Sequence, residues 1–223
     1  EEYAYFYTPY DDVTAFGRNS EDGSFQPVEG VVPSYTMETN EDGSYSVRAL
    51  DGIEYVFDEH LCLNRIMENG LVSFRFQADD VGQITHIEGR HGAGMDIVYT
   101  DGFATSVKDA IGNVVSFAYE NGRLTEITGP DGGKMAFTYD DACNLLVISD
   151  FAGEVYLTNN YDMYGRITEQ FTAGRGRSCV AYDEENHITR FTDETGNVTG
   201  YTYDEMGHVT DVALSGTQIH NSY

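Results

Sequence analysis

The chain has 223 residues, 12 of them Lys or Arg against 38 Asp or Glu, for a formal net charge of −26. Nucleic-acid affinity rests largely on Lys and Arg, so this balance excludes a phosphate-backbone partner, and so acidic a surface keeps a β-rich protein soluble and discourages edge pairing. Gly 24, Tyr 17 and Phe 12, with no Trp, suit short strands joined by many tight turns better than helices.

Cys62, Cys143 and Cys179 lie far apart with no CxxC spacing, so neither a disulfide framework nor a zinc site is expected. There is no apolar run of about 18 residues, the length that crosses a bilayer as a helix. Glu1 to Tyr10 has neither a basic nor an apolar region of the kind that makes a signal peptide. The chain opens without Met and enters strand-like sequence at once, which suggests a piece of a longer polypeptide.

In chain order, Gly17, Pro27, Gly30 and Pro33 punctuate residues 1–34, which are expected to be an irregular leading or capping portion, as repeat arrays need at their ends. Residues 35–223 are expected to form the array itself. It opens with two strand-like runs flanking Asn40-Glu41-Asp42-Gly43, a good hairpin turn.

Self-similarity dominates the rest. Tyr161-Asp162-Met163-Tyr164-Gly165-Arg166-Ile167-Thr168 recurs at 21-residue intervals as Tyr182-Asp183-Glu184-Glu185-Asn186-His187-Ile188-Thr189 and as Tyr203-Asp204-Glu205-Met206-Gly207-His208-Val209-Thr210. Upstream, Tyr139-Asp140 opens a copy with Cys143 at the glycine position, and Tyr119-Glu120-Asn121-Gly122-Arg123-Leu124-Thr125 is one residue shorter. Tyr99-Thr100-Asp101-Gly102 matches the shorter form, Ala78 replaces Tyr in the copy before it, and Phe57-Asp58 opens one with Leu61 in place of Gly. Tyr223 would open the next.

Each unit reads as a hairpin, because Asp-x-x-Gly supplies a turn-capping side chain and a residue that tolerates positive φ. A second turn follows in each unit, for example Asp109 to Asn113 and Asp193 to Asn197. The expected fold class is therefore all-β: tandem hairpins of about 21 residues stacked into one extended, twisted or spiralling antiparallel sheet, since a lone hairpin is marginal. Equivalent tyrosines are expected to form aromatic ladders worth about 0.2–1 kcal/mol per pair. The signature set is Tyr119, Gly122, Arg123, Tyr139, Asp140, Tyr161, Asp162, Gly165, Arg166, Tyr182, Asp183, Tyr203, Asp204 and Gly207.

Over residues 51–223 this unit resembles the YD repeat of rearrangement-hotspot (Rhs) proteins, teneurins and the shell components of bacterial insecticidal toxin complexes. The resemblance implies a large spiralling sheet that forms a hollow shell, often enclosing a toxic C-terminal domain or presenting an adhesive surface. This chain would be a strip of such a wall, with the rest of its parent polypeptide as its partner, at an extracellular or cell-surface location. The family's self-cleaving motif contains Asp-Pro, which occurs nowhere here, so that activity is not carried over.

The doublets Asp11-Asp12, Asp79-Asp80 and Asp140-Asp141 are poor glycosidase pairs, since adjacent strand residues face opposite ways and turn capping explains the last two. His187 and His208 occupy the position of Arg123 and Arg166 and are expected to be solvent-facing strand residues. The Asp-x-x-Gly turns and Asn40-Glu41-Asp42-Gly43 gather oxygens without a full calcium loop, so calcium stays open and no other cofactor is expected. The leading function is a non-catalytic structural or encapsulating segment. Carbohydrate- or protein-binding adhesion is the alternative, and a glycosidase is the weakest of the three.

Overall fold

A computed structural model describes residues 3–8, 12–28, 34–214 and 217–220. Gly30, Pro33 and Tyr223, which figure in the expectations above, lie outside the described residues, as does Asp11. Among the described residues there are 22 strands and no helix. The chain divides into two compact units, Glu1–Val114 and Val115–Tyr223.

The first unit begins with β1 (Tyr3–Tyr7), β2 (Val13–Arg18) and β3 (Phe25–Pro27), a three-stranded antiparallel sheet in the order β1-β2-β3. The expectation of an irregular stretch is corrected here: Gly17 and Pro27 are strand residues, not punctuation. Gly17 sits opposite Tyr3, whose ring carbon lies 3.8 Å from where a Cβ would be, so the aromatic side chain covers the bare backbone. Pro27 is in β3 at the sheet edge, where a missing N–H costs no ladder bond.

Beyond this sheet come β4 (Tyr35–Thr39), β5 (Tyr45–Ala49), β6 (Ile53–Phe57), β7 (Leu63–Glu68), β8 (Leu71–Ala78), β9 (Ile84–Gly89), β10 (Gly94–Thr100) and β11 (Phe103–Asp109). Each pairs antiparallel with the next. The unit's hydrophobic core lies where the small sheet meets this meander. Phe16 is 0% exposed, Val56 1%, Val47 2% and Phe6 7%, and the Phe6 ring centroid lies 5.0 Å from Tyr35, 5.2 Å from Tyr55 and 6.2 Å from Phe57. The period-2 alternation of β1 puts Phe6 on this face and leaves Tyr3, Tyr5 and Tyr7 exposed.

In the second unit β12 (Val114–Glu120), β13 (Arg123–Thr128), β14 (Lys134–Tyr139), β15 (Leu145–Ser149), β16 (Val155–Tyr161), β17 (Ile167–Thr172), β18 (Gly176–Asp183), β19 (Ile188–Thr192), β20 (Val198–Tyr203), β21 (Val209–Leu214) and β22 (Thr217–His220) continue as a meander of consecutive antiparallel pairs. Among its described residues only Asn159 is buried, at 7% exposure. This unit therefore holds together without a closed apolar core, through its ladders and the contacts between successive hairpins.

Candidate functional site

The signature residues assemble at the joint between one hairpin and the next, and each element of the motif has a separate task there. The aspartate builds the turn. Asp162 Oδ1 accepts from the amides of Tyr164 (2.9 Å) and Arg166 (3.0 Å), and Asp204 Oδ1 from those of Met206 (2.9 Å) and His208 (2.8 Å). Asp58, Asp79, Asp109, Asp150 and Asp193 repeat this pair of bonds, and Asp140 accepts from the Asn144 amide. The Asn197 side-chain amide, together with the Thr195 hydroxyl, lowers the Asp193 carboxyl to about 2.

The fourth turn residue must take a left-handed conformation. Gly165 has φ 78° and Gly207 85°, and in the degenerate copies Leu61 (63°) and Cys143 (72°) adopt the same region against their preference. The shorter copies use Asp101-Gly102 and Asn121-Gly122 as two-residue turns with both φ positive, the turn whose twist matches paired strands.

The threonine sits at a bulge. Tyr161 pairs with Ile167 but Asn160 pairs with Glu169, so Thr168 is the extra residue, and its hydroxyl donates to the Asn160 carbonyl (3.3 Å). Thr85, Thr105, Thr125 and Thr210 do the same with Gln77, Val98, Ala118 and Thr202. A bulge leaves backbone groups unpaired, and here the inserted residue's own side chain satisfies one of them.

The tyrosine ties hairpins together. Its hydroxyl donates to the carbonyl of the aliphatic residue after the preceding turn: Tyr99 to Ile84 (3.1 Å), Tyr139 to Leu124 (2.9 Å), Tyr161 to Leu145 (2.8 Å) and Tyr182 to Ile167 (2.9 Å). The expected ladder of stacked rings is thereby corrected. Equivalent tyrosines lie on every second strand, about 9.6 Å apart at the usual strand spacing, beyond the 4.5–7 Å or so at which rings pair. The arginine reaches the same joint from the other side. Arg166 stands 4.2 Å over the Tyr182 ring with Nη1 2.8 Å from Glu184 and Nη2 2.7 Å from Asp162, and Arg123 stands 5.9 Å over Tyr139.

The copy at 182 departs from this scheme. Asp183 pairs with Ile188 and Tyr182 with Thr189 in an unbroken ladder, so the bulge is gone. Asn186, in place of glycine, turns its amide onto Asp183, and the left-handed residue becomes His187 (φ 53°). His187 and His208 are thus turn residues, not the strand residues expected: His187 closes a loop over 184–187, and His208 precedes β21 with Nδ1 3.0 Å from Asp204. No hydroxyl bond like those of Tyr139, Tyr161 and Tyr182 is found for Tyr203.

The structure therefore brings Arg123 to Tyr139 and Arg166 to Tyr182, and places Gly122, Gly165, Gly207, Asp140, Asp162 and Asp204 in the turns, while Asp183 ends β18. Missed in the sequence were the Thr hydroxyls and the acceptor carbonyls of Ile84, Leu124, Leu145 and Ile167, although the aliphatic-Thr dipeptides Ile84-Thr85, Leu124-Thr125, Ile167-Thr168 and Val209-Thr210 were a signal for most of them. Among the described residues no group of three or more His, Cys, Asp or Glu is arranged to hold a metal ion, and no helix is long and apolar enough to cross a membrane. A separate cavity of about 520 Å³ lies beside β1. Tyr5, Phe6, Phe25, Tyr45 and Phe57 are among its lining residues.

Residues 100–134, 120–155 and 182–218 match the family model described as RHS Repeat. A search of curated proteins gave no match. In structure the chain is similar to a chain in the crystal structure of TcdB2-TccC3-Cdc42, with a TM-score of 0.52 and 15% identity over 98% of this chain and 13% of that one. A chain in the crystal structure of TcdB2-TccC3-TEV is similar at a TM-score of 0.38 and 11% identity, over 96% of this chain and 18% of that one. The protein thus spans a small part of the length of these relatives, and what it shares with the first is the fold.

Proposed function

We propose that this chain, a structural segment built of RHS repeats, forms part of the wall of a larger secreted or surface polypeptide that encloses another portion of itself. The observation that supports this is the recurring joint. The recurring chemistry of the unit, Asp carboxylate, Thr and Tyr hydroxyls and Arg guanidinium, is engaged with the chain's own backbone and neighbouring repeat, which leaves it for architecture and not for turnover. Asp79 and Asp140, the carboxylates of the two turn doublets, are held by backbone amides. The segment works without a cofactor, the partner is the remainder of the parent polypeptide, and residues 1–34 cap the array's leading end.

The test is limited proteolysis of the full-length parent. A domain enclosed by an intact wall is expected to resist cleavage, and to become cleavable when Tyr139, Tyr161 and Tyr182 are all changed to Phe. Equal cleavage in both would overturn the enclosing role, and turnover of a chromogenic glycoside would overturn the non-catalytic one. A second reading, a carbohydrate- or protein-binding adhesion module, is favoured by the exposed Tyr3, Tyr5 and Tyr7 beside the aromatic cavity. It predicts a hit on a glycan or protein array that is lost in Tyr5→Ser.

A further inference from the structure

Of the four joints between Tyr119 and Tyr203, two carry an arginine over the next repeat's tyrosine, and at the joint to Tyr161 the equivalent position is Asn144. Arg123 stands over Tyr139 and Arg166 over Tyr182. At the next joint the equivalent position is His187, which is exposed and drawn into the shifted turn. Among the described residues no Arg or Lys stands over the Tyr203 ring.

Beside that ring lies a cavity of about 270 Å³. Tyr182 and Tyr203 line it, with the carboxyl-bearing Asp183, Glu184, Asp204 and Glu205 against the single guanidinium of Arg166, a charge of 1 − 4 = −3. The Asn186 side chain holds Asp183 below the usual carboxylate range, and the His208 backbone amide does the same for Asp204, so both are ionised at neutral pH. Arg166 already pairs with Glu184 and Arg190 lies 3.6 Å from Asp183, whereas Glu205 is exposed.

We propose that the Tyr203 slot is a docking site for an arginine side chain presented by a basic polypeptide partner. The Arg166 joint shows the occupant's chemistry: a planar guanidinium laid on the Tyr182 face while its N–H groups reach the carboxylates of Asp162 and Glu184. Lysine fits less well, because a compact ammonium neither stacks as a plane nor forks between two oxygens. The charge of the lining repels phosphates and gives a neutral sugar no advantage. Arginine at residue 187 would fill the slot from within, as Arg166 fills the one before it; His187 leaves it open to a side chain from outside. This inference does not depend on the enclosing role.

The test is calorimetric titration of the intact chain with acetyl-Gly-Arg-Gly-amide and with its citrulline counterpart, which keeps the shape and loses the charge. Saturable one-to-one binding is expected, about tenfold or more weaker for citrulline, as loss of a stacked and paired cation implies. His187→Arg should abolish binding and raise the melting temperature by filling the slot. Tyr203→Leu, with folding checked by circular dichroism, should weaken binding about tenfold, while Tyr203→Phe should retain it. Absence of saturable binding, equal binding of the citrulline peptide, or undiminished binding in either His187→Arg or Tyr203→Leu would overturn the proposal.

Discussion

The leading part of the first unit and the whole of the second are both antiparallel β-structure, yet they are held by different forces. The former buries Phe6, Phe16, Val47 and Val56 where a small sheet crosses a meander. The latter buries only Asn159 among its described residues, and that side chain bonds to the Leu145 carbonyl, the Tyr161 hydroxyl and Gln170. A packed core concentrates stability in a few apolar side chains, whereas a repeat array spreads it over many small, similar joints.

Substitution can break that contrast. Phe16→Ala should cost about 3–5 kcal/mol in denaturant unfolding, the range for a fully buried ring. No single signature residue of the array should approach it. Tyr182→Phe should cost about 0.5–1.5 kcal/mol for one lost hydrogen bond and its stranded carbonyl, and Tyr161→Phe a similar amount, for two lost bonds but a Leu145 carbonyl that keeps Asn159 Nδ2 as donor. Tyr203→Phe should cost almost nothing, because the shifted turn at 184–187 removes the equivalent bond. An equal loss at Tyr182 and Tyr203 would mean that ring packing, not the hydroxyl, ties the repeats together.

Smaller effects sharpen the comparison within the array. Cys143→Gly should raise stability by about 0.5–1 kcal/mol, because relief of the left-handed backbone outweighs the flexibility glycine adds to the unfolded chain. The gain is reduced by loss of the Arg123 contact to Sγ at 2.7 Å. The smallest expected effect is on pH dependence. Asp193 is lowered from 3.8 to about 2, so its contribution is present above pH 3.8 and lost as pH falls through about 2. Asp193→Asn should flatten the acid limb of a melting-temperature profile in that window, and an unchanged limb would count against the turn-capping role.

Much of this was legible in the chain. The 21-residue recurrence of Tyr-Asp and the glycine three residues after Asp162 and Asp204 announced hairpins, turn positions and tight-turn chemistry. The role of Tyr was not legible, because stacking between equivalent rings and bonding to a carbonyl 15 or 16 residues back leave the same periodic mark. The 182 copy was misread for a related reason: Asn186 looks like a mild replacement for glycine, yet the turn moves by one residue and His187 with it. In the leading portion Gly17 and Pro27 hid two strands, since a glycine covered by Tyr3 and a proline at a sheet edge carry none of their usual meaning as breaks.

By itself the sequence determined the all-β class, the repeat length and the turn sites, because these follow from local conformational preference and a period written into the chain. The tertiary structure alone decided which face of β1 is buried, that the Tyr hydroxyls and Arg guanidinia meet at the joints, and that a cavity lies beside Tyr203. Each of these depends on which strand lies beside which and in what register, and local propensity carries no information about that.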